Sequence, residues 1–407
     1  MTIIHNPILR GFNPDASAIR VGDDYYIATS TFEWFPGVLI HHSRDLVHWR
    51  SLTRPLDRLS LLDLRGLPSS GGIWAPSFSY DNGIYYLCFT NVVGRRGVYK
   101  DLHNYVVTAT SIEGPWSEPI YLNSSGFDHF LFHDTDGRKW LFNMQWDFRK
   151  NKSRFAGIIM QEYSPEQRRL VGPIKTVTSG TSLGVTEGPM VYYKNGYYYL
   201  LVAEGGTGAN HAATLLRARS VEGPYETDPD YPVLTSVGHP DHPLQKAGHG
   251  SLVETQHGDW YMVHICSRTL PDGSGLSPLG RETSIQKVVW TGDGWLRLAS
   301  GSRLPELTVQ APEPAAASVP SRAGDRPFHR AGAGNCMAYA ACAGRSVLAE
   351  LERAARASSL VRPGIAVLLE LSVAGRKTAA ELLLRGGDLR GIRAGVLHSD
   401  GRSCTLL

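Results

Sequence analysis

Three acidic residues occupy matching places in a repeated pattern: Asp15 in FNPDASAI, Asp128 in GFDHFLF and Glu187 in TEGPMVY. Each precedes an apolar stretch and lies seven to nine residues before a glycine in a polar turn. Two further copies place Ala75, beside Trp74 in IWAPSFS, and His249, in AGHGSLV, at the same point. Grouped carboxyl side chains suit the cleavage of glycosidic bonds. One donates a proton to the leaving oxygen, and the other activates water or attacks the sugar. A third carboxylate near the acid raises its pKa by repulsion and keeps it protonated near neutral pH. A lone acid at a strand start more often caps a turn or faces solvent. Three in register point instead to a shared site, because charges crowded together are costly unless function retains them. The residues alone do not assign the individual roles.

The elements that would hold these groups repeat as well. A glycine in a polar turn followed by an aromatic-rich strand occurs in VGDDYYIATS, DNGIYYLCFT, TDGRKWLFNM, KNGYYYLLVA and QHGDWYMVHI. The glycines are Gly22, Gly83, Gly137, Gly196 and Gly258, spaced 61, 54, 59 and 62 residues apart. Asn-Gly and Asp-Gly supply the positive φ that tight hairpins need. Three units add a short loop ending in an aromatic: SRDLVHW, SIEGPW and SVEGPY. Little of the chain before residue 340 has a helical period, so an all-β architecture is expected. Near-constant spacing predicts a five-bladed β-propeller, since a β-sandwich does not usually repeat one hairpin five times. The first strand of each blade lines a propeller's channel, so the five equivalent positions should converge on one ring.

Composition bounds the rest. Every tryptophan lies between Trp34 and Trp295, and no Phe, Trp or Tyr follows Tyr339, which marks a domain boundary. The expected organisation is a catalytic propeller over 1–310, an Ala/Pro linker over 311–327, and a short C-terminal appendage over 328–407. That appendage reads as a truncated β-sandwich remnant or a poorly ordered tail. Within it RSVLAELERAAR (345–356) has helical propensity and VLLELSV suits a strand. The residues from Phe328 onward carry a net charge of +5, so residues 1–327 carry −2 of the total +3. Nucleic-acid binding calls for a basic surface that this larger part lacks. The five scattered cysteines read as free thiols in a reducing compartment. The first residues lack the pattern of a signal peptide, and no apolar run approaches the ~20 residues of a membrane span. A cytoplasmic location, without membrane or nucleic-acid partners, is the expectation.

With these residues in view, the chain resembles glycoside hydrolase family 43, in its β-xylosidase branch. The resemblance runs over about residues 6–290. It includes NPILRGFNPD, YYIATSTFEWFPGV, GGIWAPSFSYDNG, YLNSSGFDHFLFHD, LGVTEGPMVY, AEGGTGANHAAT, PLQKAGHGSLVET and SPLGRETSIQKV. It implies an inverting enzyme that removes xylose from the non-reducing end of xylo-oligosaccharides. By resemblance Asp15 is the base that activates water, Glu187 the acid, and Asp128 the group that orients Glu187 and raises its pKa. Arg281 would contact substrate hydroxyls, Phe32 and Trp74 would shape the sugar pocket, and Thr207 and His249 would lie nearby. No cofactor is obligatory. A calcium near His249 is the one the resemblance allows, although a hydrogen-bonded axial residue without metal is the preferred reading. A homo-oligomer is compatible with this pattern.

The chain departs from the pattern in two ways. His129-Phe130 follows Asp128 where the family usually has Pro-Ser, a bulky pair that could reshape the pocket. The region after the linker is also far shorter than the family's β-sandwich of roughly two hundred residues. The alternatives are α-L-arabinofuranosidase activity and a non-catalytic carbohydrate-binding propeller, and a binder has no need of three ring acids. GTSLG (180–184) matches the G-x-S-x-G nucleophile pattern. That motif requires a helix next, and Gly188-Pro189 cannot provide its interior.

Overall fold

The computed structural model describes residues 2–313 and four strands between residues 366 and 406. Among these residues there is no α-helix. The chain divides into two compact units, Met1–Ser318 and Val319–Leu407.

The first unit is a five-bladed β-propeller, as the repeat predicts. Blade one comprises β2 (Ser17–Val21), β3 (Asp24–Thr29), β4 (Leu39–Ser43) and β5 (Arg50–Thr53). Blade two follows with β6 (Gly72–Asp81), β7 (Ile84–Gly94), β8 (Asp101–Ala109) and β9 (Ile120–Asn123). Blade three has β10 (Gly126–His133), β11 (Lys139–Trp146), β12 (Phe155–Ser164) and β13 (Arg169–Thr178). Blade four has β14 (Glu187–Lys194), β15 (Tyr197–Glu204), β16 (Ala212–Ala218) and β17 (Glu226–Thr227), with β18 (Leu234–Thr235) also on β16. Blade five has β19 (Gln245–Glu254), β20 (Trp260–Ser267), β21 (Glu282–Trp290) and β22 (Leu296–Leu298). Each blade is an antiparallel meander, and the inner strands follow one another around the axis.

Local chemistry explains the hairpins. Asn82-Gly83 and Asn195-Gly196 both have positive φ at the two turn residues, 48° and 82° in one and 50° and 77° in the other. That geometry matches the right-handed twist of the strands it joins. Trp116 and Tyr225, at the ends of two of the aromatic-ended loops, pack into the apolar clusters between blades. The ring closes where β1 (Ile3–His5) pairs with β23 (Thr308–Gln310). Asn6 reinforces this seam, because its side chain both donates to and accepts from the backbone of Ile285. The buried Ala311 belongs to the same core, so the propeller's packing continues just past residue 310.

In the second unit β24 (Ala366–Val373), β25 (Arg376–Leu383), β26 (Arg393–Leu397) and β27 (Ser403–Leu406) form one antiparallel sheet. The strand expected in VLLELSV is β24. Most of the 311–327 linker and the helix expected over 345–356 lie outside the described residues.

Candidate active site

A cavity of about 980 Å³ opens where the inner strands begin. All eight residues singled out from the sequence line it: Asp15, Phe32, Trp74, Asp128, Glu187, Thr207, His249 and Arg281. The inner strands deliver them through a shared device. Asp15, Ala75, Asp128, Gly188 and His249 have φ of 57°, 31°, 53°, 58° and 51°. In four of the five blades the strand register slips at this left-handed residue. A bulge re-aims side chains, so two successive residues can face one side. Phe127 and Asp128 both line the cavity in this way.

The bulge also refines the repeat. Counting back from the hairpin glycines equates Glu187 with Asp15, Asp128 and His249. The left-handed residue of blade four is instead Gly188, and Glu187 corresponds to Trp74 and Phe127. Glycine suits position 188, where an added Cβ would lie 3.1 Å from the His249 ring. The non-glycine residues at this point cost about 1–2 kcal/mol each in backbone conformation.

Asp15 is 4% exposed and bound on both oxygens. Ser30 donates to Oδ2 at 2.5 Å, and Arg281 Nη1 donates to Oδ1 at 2.7 Å. His249 Nδ1 stands 4.0 Å from Oδ1. Although 266 residues separate Arg281 from Asp15, the backbone ties them together: the Asn13 amide donates to the Arg281 carbonyl at 2.9 Å. Burial pushes the Asp15 carboxyl up, but Arg281, His249 and the Ser30 hydrogen bond together hold it below the ordinary value. Asp15 is therefore an anion at neutral pH.

Asp128 and Glu187, each 7% exposed, behave in the opposite sense. Burial raises Asp128 well above the usual range, and repulsion from Glu187 and Asp15 adds to it. Burial and the charge of Asp15 raise Glu187 to about 8, against the smaller opposing pull of Arg281. The pair therefore retains a proton near neutral pH. Burial also keeps His249 neutral, its pKa lowered despite the nearby Asp15 charge.

Aromatic rings form one wall. Phe12, Phe32, Trp74, Phe127, Trp146 and Phe155 follow one another with centroid separations of 5.4, 5.9, 5.5, 6.4 and 5.5 Å. The Arg281 guanidinium lies 5.2 Å from the Phe32 ring centre and Lys100 Nζ 4.6 Å from that of Trp146. An anionic carboxylate, a protonated carboxyl pair and flat apolar faces thus share one cavity. That combination can transfer protons to and from a bound sugar.

The family described as Glycosyl hydrolases family 43 matches residues 4–296. The chain belongs to that family. It is 54% identical over 312 residues to a protein of Humicola insolens named xylosidase/arabinosidase 43B, covering 77% of this chain and 58% of that protein. A β-xylosidase of Bacillus subtilis is 52% identical over 316 residues, covering 76% and 59%. The crystal structure of a xylan β-1,4-xylosidase from Bacillus halodurans C-125 superposes with a TM-score of 0.75 at 60% identity, covering 81% of this chain and 61% of that one. The chain spans about three fifths of the length of these relatives.

Several features of this family 43 site lie outside the acid pattern. Ser30, Asn13, Phe127, Trp146 and Phe155 were not anticipated. Phe127 had a signal, since it precedes Asp128 as Trp74 precedes Ala75. Trp146 and Phe155 come from the facing ends of β11 and β12 and follow no repeat. His129 and Phe130 stand away from the cavity lining. Both are buried, His129 having Thr90 and the Tyr105 carbonyl as polar neighbours. GTSLG runs into β14, and Ser182 meets the Tyr231 hydroxyl at 2.9 Å rather than a base. Calcium takes six to eight oxygen ligands. His249 has the Asp15 carboxylate beside it, already engaged by Arg281 and Ser30. No group of three His, Cys, Asp or Glu among the described residues is arranged to hold a metal ion. The residues present are a poor fit for calcium.

Proposed function

We propose that this family 43 chain removes xylose from the non-reducing end of xylo-oligosaccharides with inversion of configuration. The observation that carries the reading is the contrast in protonation between ionised Asp15 and the Asp128–Glu187 pair in the lining of one cavity. Asp15, ionised, takes a proton from water as that water attacks the anomeric carbon. Glu187 gives its proton to the departing oxygen; burial and the charge of Asp15 keep that proton in place, and Asp128, paired with Glu187, orients it. Arg281 holds Asp15 in its charged form and presents donors toward the sugar hydroxyls. Phe32 and Trp74 shape the glycone pocket, with Thr207 at its exposed rim and neutral His249 beside the base. The names of the Humicola insolens, Bacillus subtilis and Bacillus halodurans proteins support xylose as the sugar.

Arabinofuranoside cleavage is the second reading, favoured by the double name of the Humicola insolens protein. Incubation with xylobiose and with an aryl α-L-arabinofuranoside compares the two directly. Faster turnover of xylobiose is expected, with α-xylose as the first product by proton NMR. Release of β-xylose first would rule out inversion, and binding without turnover of either would favour a carbohydrate-binding propeller.

A cytoplasmic, reducing setting is part of the same proposal, supported by the buried free thiols of Cys88 and Cys266. Among the described residues no helix is long and apolar enough to cross a membrane. The −2 charge of residues 1–327 favours a neutral sugar over nucleic acid. Assembly into a homo-oligomer remains a proposal, to be checked by light scattering.

A further inference from the structure

Glu204 closes β15 and is fully buried, yet it does not line the cavity. Its Oε1 accepts from the Thr181 amide at 2.8 Å and the Thr186 hydroxyl at 2.9 Å. Its Oε2 accepts from the Thr181 hydroxyl at 2.7 Å. Three donors on a buried carboxylate offset its lost hydration and make the contacts stronger than neutral ones. The two threonines bound the segment Thr181–Thr186, which leads directly into Glu187. Beside this clamp the Gly205 amide donates to the Gly184 carbonyl at 2.8 Å.

The clamped segment is not one the chain would adopt unaided. Val185, a β-branched residue that lines the cavity, is left-handed with φ of 52°. Such a conformation persists only where the surroundings over-determine it. Gly180 has no space for a side chain, since a Cβ there would lie 1.7 Å from the Thr186 hydroxyl. On the far side of Glu204 the chain turns through Gly205 to Gly206 and Thr207, which line the cavity. Ala203, just before Glu204, is the strand partner of Glu187. One buried carboxylate thus joins the loop entering β14 to the end of β15.

We infer that Glu204 is a positioning residue for proton donation: by holding Thr181 and Thr186 it sets where Glu187 and Val185 stand, without touching sugar. This rests on Glu187 being the acid. A displacement near 1 Å at such a group costs about 100-fold in rate. Misplacing the acid penalises poor leaving groups most, because a nitrophenolate departs with little protonation. A merely structural role would lower both substrates alike.

The experiment measures kcat and KM for xylobiose and for a nitrophenyl β-xyloside, with melting temperatures, in Glu204→Ala, Thr186→Val and the double variant. Glu204→Ala should lose about 100-fold in kcat on xylobiose and at most about 10-fold on the aryl xyloside, with KM nearly unchanged. Thr186→Val keeps the side-chain shape and should show the same bias at about 10-fold. The double variant should lose little more than Glu204→Ala, because both act through one contact. Equal losses on the two substrates, or a Thr186→Val enzyme like wild type, would overturn the inference. Should Glu204→Ala fail to fold, Thr186→Val decides alone. Glu187→Ala is the control for the underlying reading. If it shows no leaving-group bias, Glu187 is not the acid; if it shows the bias and the clamp variants do not, only the clamp fails.

Discussion

Asp15 and Glu187 are buried to nearly the same degree, 4% and 7% exposed, on two walls of one cavity. Desolvation pushes both carboxyl groups toward the neutral form. On the Asp15 wall a guanidinium, a hydroxyl and an imidazole meet the carboxylate, and their combined pull reverses the effect. Around Glu187 the charge of Asp15 adds to burial and outweighs the pull of Arg281, so the neutral form prevails. The difference teaches that burial supplies the potential for acid–base chemistry, while the balance of charged and hydrogen-bonding neighbours decides its sign. It also explains how one cavity holds a charged carboxylate and a protonated carboxyl group at the same pH.

Removing the base should have the largest effect. Asp15→Ala is expected to cost about 10³- to 10⁴-fold in kcat on xylobiose, within the range of general base catalysis. Retention of more than a tenth of the activity would show that another group activates water. Arg281→Met tests the partner instead of the base. It should cost about 100-fold in kcat/KM, because the buried Asp15 charge loses its counter-ion. Arg281 lowers Asp15, Asp128 and Glu187 alike. Both limbs of the pH–rate profile should therefore move to higher pH, and a loss of rate with fixed limbs would confine Arg281 to sugar binding.

Asp128→Asn sharpens the other side. The last proton of a coupled pair leaves at higher pH than that of a lone group. Without Asp128 the alkaline limb should fall by about one unit or more, with about a 10-fold loss of rate on xylobiose and less on aryl xylosides. The acid limb should stay in place, since Asp128 is not among the groups that set Asp15. An unmoved alkaline limb would leave Asp128 a sugar contact only.

These contrasts were legible in the sequence to different depths. The hairpin glycines announced the blades because a two-residue Asn-Gly turn is a local matter of backbone freedom. Asp15, Asp128 and His249 were legible because each blade repeats one left-handed entry residue. Glu187 was found by the same count but sits one residue off, since a bulge adds a residue that hairpin spacing does not reveal. Arg281 had no internal signal. It reaches Asp15 only when the ring closes, a contact of 266 residues' separation, and it was named only through resemblance. Trp146 and Phe155 come together only when β11 and β12 pair in the third blade. Glu204 carries no signal in the repeat, and the role proposed for it rests on the three donors that the fold brings to it.

A separate effect is expected on stability, and its sign separates the two groups without any substrate. Glu187 is raised to about 8 in the fold, whereas an unfolded glutamate titrates near ~4.3. Between these values the native state holds a proton that the unfolded state has released. Stability then falls as pH rises, at most by about 1.4 kcal/mol for each unit across the window. Below ~4.3 both states are protonated, and the penalty vanishes. Glu187→Gln keeps a neutral group of similar shape and carries no such cost. The variant should match wild type near pH 4.5 and melt higher as pH rises, by up to about 10 °C near pH 8, with the gap widening steadily between. Asp15 would behave oppositely, because its lowered pKa makes the charged form stabilising at neutral pH. A Glu187→Gln melting curve that tracks wild type at every pH would show that the glutamate is not held protonated. The contrast between the two walls would then rest on geometry alone.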